Sequence, residues 1–112
     1  MKFKIKINDS TTLADIRNEL EVLKSANINE VPVNHLLKII EFLGAFQVPS
    51  TGSSLRFAHH LLKQNPYYHG YFSVHKIHKG GDNDQIRKTD FKVYLYPALI
   101  TILDLLDSTY KK

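Results

Sequence analysis

The strongest constraint on the fold is a pair of alternating segments enclosed between two strongly apolar ones. In Gly52-Ser53-Ser54-Leu55-Arg56-Phe57 and in Tyr71-Phe72-Ser73-Val74-His75-Lys76-Ile77-His78, apolar side chains recur at every second position. That is the period of a half-buried strand. Ahead of the first segment, Val33, Leu36, Leu37, Ile40 and Leu43 make one helical stripe that ends at Gly44, the expected left-handed terminator. Beyond the second, Leu99, Ile102, Leu103 and Leu106 give a further stripe in a helix running from Tyr96-Pro97 through Asp107. Strands clustered between helices predict an α+β domain, a small antiparallel sheet of about three strands backed by helices on one face.

The remaining segments fill in around this frame. Lys2 to Ile7 alternates strictly, with Phe3, Ile5 and Ile7 on one side and lysines on the other, and reads as a further strand. Thr12 and Asp15 have the spacing of a capping box, and the helix it opens carries Leu13, Ile16, Leu20 and Leu23 on one stripe before ending near Ser25-Ala26-Asn27. Asn29-Glu30-Val31-Pro32 is expected to start the second helix, with Pro32 at the first helical position, where a missing N–H costs nothing. Ala45 to Val48 reads as a short strand and Pro49-Ser50-Thr51-Gly52 as a turn. The strand that follows is expected over Ser53 to His60, and Leu61 to His69 as an irregular connection. Phe91, Val93 and Leu95 are at strand spacing, and Gly80 to Asp84 is a loop. Residues 1–28 thus carry the first strand and helix, and the other elements follow within 29–112.

A chain of 112 residues has room for one core, burying about two thirds of the unfolded surface, and for one site. Without cysteine it has no disulfides and no thiolate metal site. No apolar run approaches the ~20 residues of a membrane span, and Met1 to Ile7 has no signal-peptide stretch, so a soluble cytoplasmic protein is expected, with no membrane partner. The net charge of +4 favours an anionic partner.

Several chemistries drop out. There is no phosphate-binding glycine loop, dinucleotide fingerprint or nucleophile elbow. A zinc site at His75-x-x-His78 is disfavoured because an offset of three on a strand aims the two rings at opposite faces. His59-His60 has the same defect, and His35, beside Leu36 on the core helix, reads as structural. No metal and no cofactor is expected. Acid/base chemistry on RNA asks for less, namely a histidine to take or give a proton and a cation to steady the charge on phosphate. Solvated sheet residues of no special role fit the same pattern.

In order and spacing, the block from Val33 to Leu106 resembles the HicA toxin family, small bacterial proteins with a double-stranded-RNA-binding-domain-like α-β-β-β-α fold. His35 to Phe46 looks like the family's helix ending in Leu-Gly-Phe, and Gly52-Ser53-Ser54-Leu55-Arg56-Phe57 is similar to its Gly-Ser-His strand. His75-Lys76-Ile77-His78-Lys79 resembles the strand with a histidine near its end, and Pro97 to Leu106 takes the place of the closing helix. Two departures matter. Residues 1–28, a strand-helix extension, exceed the compact family core that 29–112 resembles. The family's catalytic histidine follows Gly-Ser, and here that position is Ser54, whose hydroxyl cannot carry a proton near pH 7 as an imidazole does.

The resemblance implies a toxin of a type II toxin-antitoxin system, a metal-independent endoribonuclease acting on messenger RNA and neutralised by a HicB-like antitoxin. Under it, His75 or His78 carries any proton transfer, and Ser53, Ser54, Arg56, Lys76 and Lys79 contact RNA. If no histidine replaces the family's, the alternatives are a non-catalytic RNA-binding module or a protein-interaction domain on the same fold. The apolar surplus at Ile100 and Leu105 is a candidate seat for a partner chain.

Overall fold

Thr12 opens the first helix with a reciprocal pair of bonds. Its hydroxyl accepts from the Asp15 N–H at 3.1 Å, and the Asp15 carboxylate accepts from the Thr12 N–H at 3.0 Å. Helix α1 follows over Leu13–Ser25 and buries Ile16, Leu20 and Leu23. The structure is a computed structural model and describes residues 7–8, 10–77 and 84–110. The strand expected over Lys2 to Ile7 therefore lies almost wholly outside the described residues, as does most of the Gly80 to Asp84 loop.

Strand β1 (Glu30–Pro32) comes next, then helix α2 (Val33–Phe42), and strands β2 (Phe46–Val48), β3 (Ser54–Ala58) and β4 (Tyr71–His75). After β5 (Gln85–Arg87), a single helical turn α3 (Lys88–Asp90) leads through a π-helical segment, Phe91–Leu95, into α4 (Tyr96–Tyr110). Strands β2, β3 and β4 form an antiparallel meander in that order, while β1 and β5 pair as a separate two-stranded ribbon. The result is an α+β fold in which α2, three consecutive strands and α4 follow one another along the chain. Among the described residues no helix is long and apolar enough to cross a membrane.

The end of α2 shows how the sequence dictates its turns. Gly44 has φ +90°, its N–H donates to the Glu41 carbonyl at 3.0 Å, and the Ala45 N–H reaches the Ile40 carbonyl at 3.2 Å. This double closure of the last turn needs a left-handed residue, which glycine supplies without strain. The chain then reverses into β2.

Phe57 and Phe72 face each other across β3 and β4, their rings stacked at 5.3 Å. With Leu55 and Val74 they form the floor of the core. Leu36, Ile39 and Ile40 from α2 and Leu99, Ile102 and Leu103 from α4 cover it, all between 0 and 1% exposed. Helix α1 closes the far side against α4, where the Arg17 guanidinium bonds Asp104 and Asp107, each at 2.9 Å.

Four expectations need correction. Glu30–Pro32 is a strand, so α2 starts at Val33 with Pro32 as its cap residue. The β3 strand stops at Ala58; the His59 N–H still donates to the Gly70 carbonyl at 3.0 Å, and His59 then caps a 3₁₀ turn over His60–Leu62. Strand β4 stops at His75, and beyond it Ile77 makes only an isolated bridge to Gln85. Finally, Phe91, Val93 and Leu95 are helical, with Phe91 and Leu95 buried and Val93 61% exposed. Ile100 and Leu105 are half-buried and packed against the core.

Candidate functional site

The register of the meander sorts its side chains into two sets. Arg56 is opposite Ser73 and Val48, Ala58 is opposite Tyr71 and Phe46, and Ser54 is opposite His75. Directly opposed residues share a face, and the partners of the buried positions Leu55, Phe57, Phe72 and Val74 are on the other one. The outer face of the sheet therefore carries Ser54, Arg56, Ser73, His75 and Tyr71, with Phe46 on the edge strand. None of these outward residues is acidic.

Ser54 and His75 are especially close. The Lys76 N–H donates to the Ser53 carbonyl at 2.9 Å, which makes 53 and 76 a hydrogen-bonded pair. The next pair inward, Ser54 and His75, is then of the non-hydrogen-bonded class, with Cα atoms about 4.5 Å apart and side chains at their nearest. The backbone carbonyl of Ser54 also accepts from the Ser50 hydroxyl, tying the preceding turn to the strand. His75 is exposed and has no hydrogen bond or ion pair to another described residue.

Arg56 lies two pairs along the ladder, on the same face. Its guanidinium carbon is 4.2 Å from the centroid of the Tyr71 ring, a cation–π contact on the diagonal of the ladder. Stacking of this kind holds the fork in one orientation while leaving its N–H groups available to an anion.

Other candidates are placed differently. The Lys76 ammonium is 3.0 Å from the Asp84 carboxylate, and both side chains are largely covered, so its charge is neutralised within the fold. Ser53 precedes β3 on the side of the ladder away from Ser54. His78 and Lys79 lie outside the described residues. The structure thus pairs Ser54 with His75 and puts Arg56 on the same face with its guanidinium turned toward Tyr71, while Lys76 is engaged by Asp84.

The other described histidines have different surroundings. His59 is 1% exposed; its Nε2–H donates to the Leu43 carbonyl at 2.7 Å, while Nδ1 accepts from the Leu61 N–H at 3.1 Å. Burial pushes its pKa below the usual histidine value, opposed in part by the bond to Leu43. A neutral ring with one donor and one acceptor satisfies both contacts. His35 Nε2 is 2.7 Å from the buried Glu19 carboxylate, joining α2 to α1. His60 stacks on the His59 ring at 5.0 Å and is exposed. Among the described residues no three His, Asp or Glu side chains converge on a point where a metal ion would sit.

The sequence reading passed over the aromatic side chains around this face. Phe46 is 59% exposed and Tyr71 44%. The only signal for them was the density of Tyr and Phe from Tyr67 to Phe72, because a strand reading assigns a face to Tyr71 but gives no cue that its ring stays uncovered. Comparison with protein-family models, with curated proteins and with solved structures gave no match to this chain.

Proposed function

We propose that this chain is an RNA-directed toxin resembling the HicA family, with Arg56 holding a phosphate and His75 moving the proton. The single observation that carries the reading is the Ser54–His75 pair. The family places its catalytic histidine at the position of Ser54, and here an imidazole stands directly across the ladder from that hydroxyl. A ring at His75 therefore reaches the same volume of space from the neighbouring strand.

The reaction is transesterification within RNA. The ribose 2′-oxygen attacks phosphorus, the bond to the 5′-oxygen breaks, and a 2′,3′-cyclic phosphate and a 5′-hydroxyl result. His75 takes the 2′ proton and returns it to the leaving 5′-oxygen, while Arg56 steadies the charge on the phosphoryl oxygens. Ser54 and Ser73 supply hydroxyls to hydrogen-bond the backbone. A HicB-like antitoxin that covers this acid-free face would silence the activity.

The test is expression of the whole chain in a bacterium, followed by incubation of the purified protein with RNA in the presence of a chelator. Growth arrest and cyclic-phosphate ends are expected from wild type, with cleavage falling about 10²–10⁴-fold in His75→Ala. Full activity in His75→Ala would overturn the assignment. The exposed His75, unoriented by any described neighbour, favours one other outcome. Salt-sensitive binding that leaves RNA intact would identify a non-catalytic RNA-binding module.

A further inference from the structure

The exposed large apolar side chains are not scattered. Among the described residues, and apart from Val22 on α1, they are Phe46, Tyr67, Tyr71, Val93 and Tyr94, and all of them border the sheet around β4. Tyr71 belongs to two grooves at once. On one side a groove of about 430 Å³ runs past Phe46 between His60, Lys63 and His69. On the other, a groove of about 260 Å³ is walled by Tyr67, Tyr94 and Val93.

The local backbone builds this line of rings. Phe46, Ala58 and Tyr71 form one transverse row of the sheet, and the small Ala58 leaves the space between the two rings open. Two strand spacings put Phe46 and Tyr71 roughly 9–10 Å apart. Asn65 accepts from the N–H groups of Tyr67 and Tyr68 at 2.8 and 3.0 Å, folding the connection so that Tyr67 stands beside β4 at 78% exposure. The π-helical turn, closed by the Tyr96 N–H on the Phe91 carbonyl, leaves Val93 and Tyr94 outside while Phe91 and Leu95 are buried.

We infer that the row of Phe46, Tyr71, Tyr67 and Tyr94 binds an unpaired segment of RNA, its bases stacking on the rings and its phosphates meeting Arg56 and Lys63. This rests on the RNA reading above and narrows it to a substrate class. A duplex keeps its base faces inside its own stack and offers proteins phosphates and 2′-hydroxyls, so it would leave these rings in water. Unpaired bases cover them, and stacking of this kind is tolerant of sequence. The charge agrees, since the groove beside Phe46 is lined by lysine and histidines and by no carboxylate. The cation already stacked on Tyr71 fits the same use, a guanidinium between a ring and a backbone phosphate.

The test uses 2′-O-methyl RNA, which has no 2′-hydroxyl to react, in a single strand of roughly 12 nucleotides and in the same sequence annealed to its complement. Fluorescence anisotropy of each with the whole chain, at fixed salt, should show the single strand bound at least about tenfold tighter. Phe46→Ala and Tyr67→Ala should each weaken single-strand binding about tenfold or more, leave duplex binding unchanged and keep the wild-type melting temperature. Tyr71→Phe should bind as wild type. Equal or tighter binding of the duplex, indifferent to these substitutions, overturns the stacking while the RNA reading stands. No binding of either RNA overturns both. A wild-type dimer in sedimentation that Phe46→Ala dissociates, with RNA binding unaltered, assigns the face to a second copy and overturns the inference.

Discussion

Leu55, Phe57, Phe72 and Val74 point from β3 and β4 into the core, whereas Ser54, Arg56, Ser73 and His75 leave the same two strands on the opposite side. The backbone is shared, so the difference lies in what surrounds each face. Inward, every side chain is enclosed by α2 and α4 and contributes through burial. Outward, an imidazole and a guanidinium are set on one face in the register that the inner face requires, and they contribute little to folding themselves. Positioning of the outer groups is thus a by-product of packing beneath them.

The contrast gives a graded set of expectations. Phe57→Ala should be the most damaging, removing a ring that is 1% exposed and stacked on Phe72, at a cost of about 3–5 kcal/mol in urea unfolding. His59→Leu comes next, at roughly 2–3 kcal/mol near neutrality, because the Leu43 carbonyl and the Leu61 N–H both lose their partner. That gap should narrow as the solution is acidified. Since burial holds the folded-state pKa of His59 below the unfolded value of about 6.5, the unfolded chain takes up a proton that the native state resists. Wild type therefore loses this part of its stability as pH falls below about 6.5, and the leucine variant has none to lose. Melting curves at several pH values check it, and a constant gap would mean that His59 is not held neutral.

Gly44→Ala should cost about 1–2 kcal/mol, from a left-handed φ of +90° and a Cβ placed 3.3 Å from the His59 ring nitrogen. Smallest of all, His75→Ala and Arg56→Ala should each change stability by less than about 0.5 kcal/mol while cleavage or RNA affinity collapses. A loss above 1 kcal/mol for His75→Ala by the same urea measurement would break the distinction between the faces.

Much of this was legible in the sequence, for identifiable reasons. The capping box at Thr12 and Asp15, the terminator at Gly44 and the alternation of Leu55-Arg56-Phe57 with Tyr71 to His75 are local signals, and each appears in the structure as read. The ribbon of β1 and β5 was not legible. Three residues ending in proline carry no period, and their partners at Gln85–Arg87 are remote in sequence. Phe91 and Leu95 misled because a separation of four satisfies both the strand and the helix period. Val93 between them decides the matter by being exposed. For the site, alternation alone placed Arg56 outward, but only the register could set His75 against Ser54. Nothing local could reveal that Lys76 would be claimed by Asp84.

The contact between α1 and α4 has a practical consequence. Ile16, Leu20 and Leu23 sit at 0% exposure in the common core, and Arg17 clamps Asp104 and Asp107 on the closing helix. A shortened version beginning at residue 29 would strip the cover from Leu99, Ile102 and Leu103 and leave two carboxylates without their counter-ion. Whoever trims the chain to its α-β-β-β-α portion should anticipate a sticky, acid-edged helix in place of a smaller working protein.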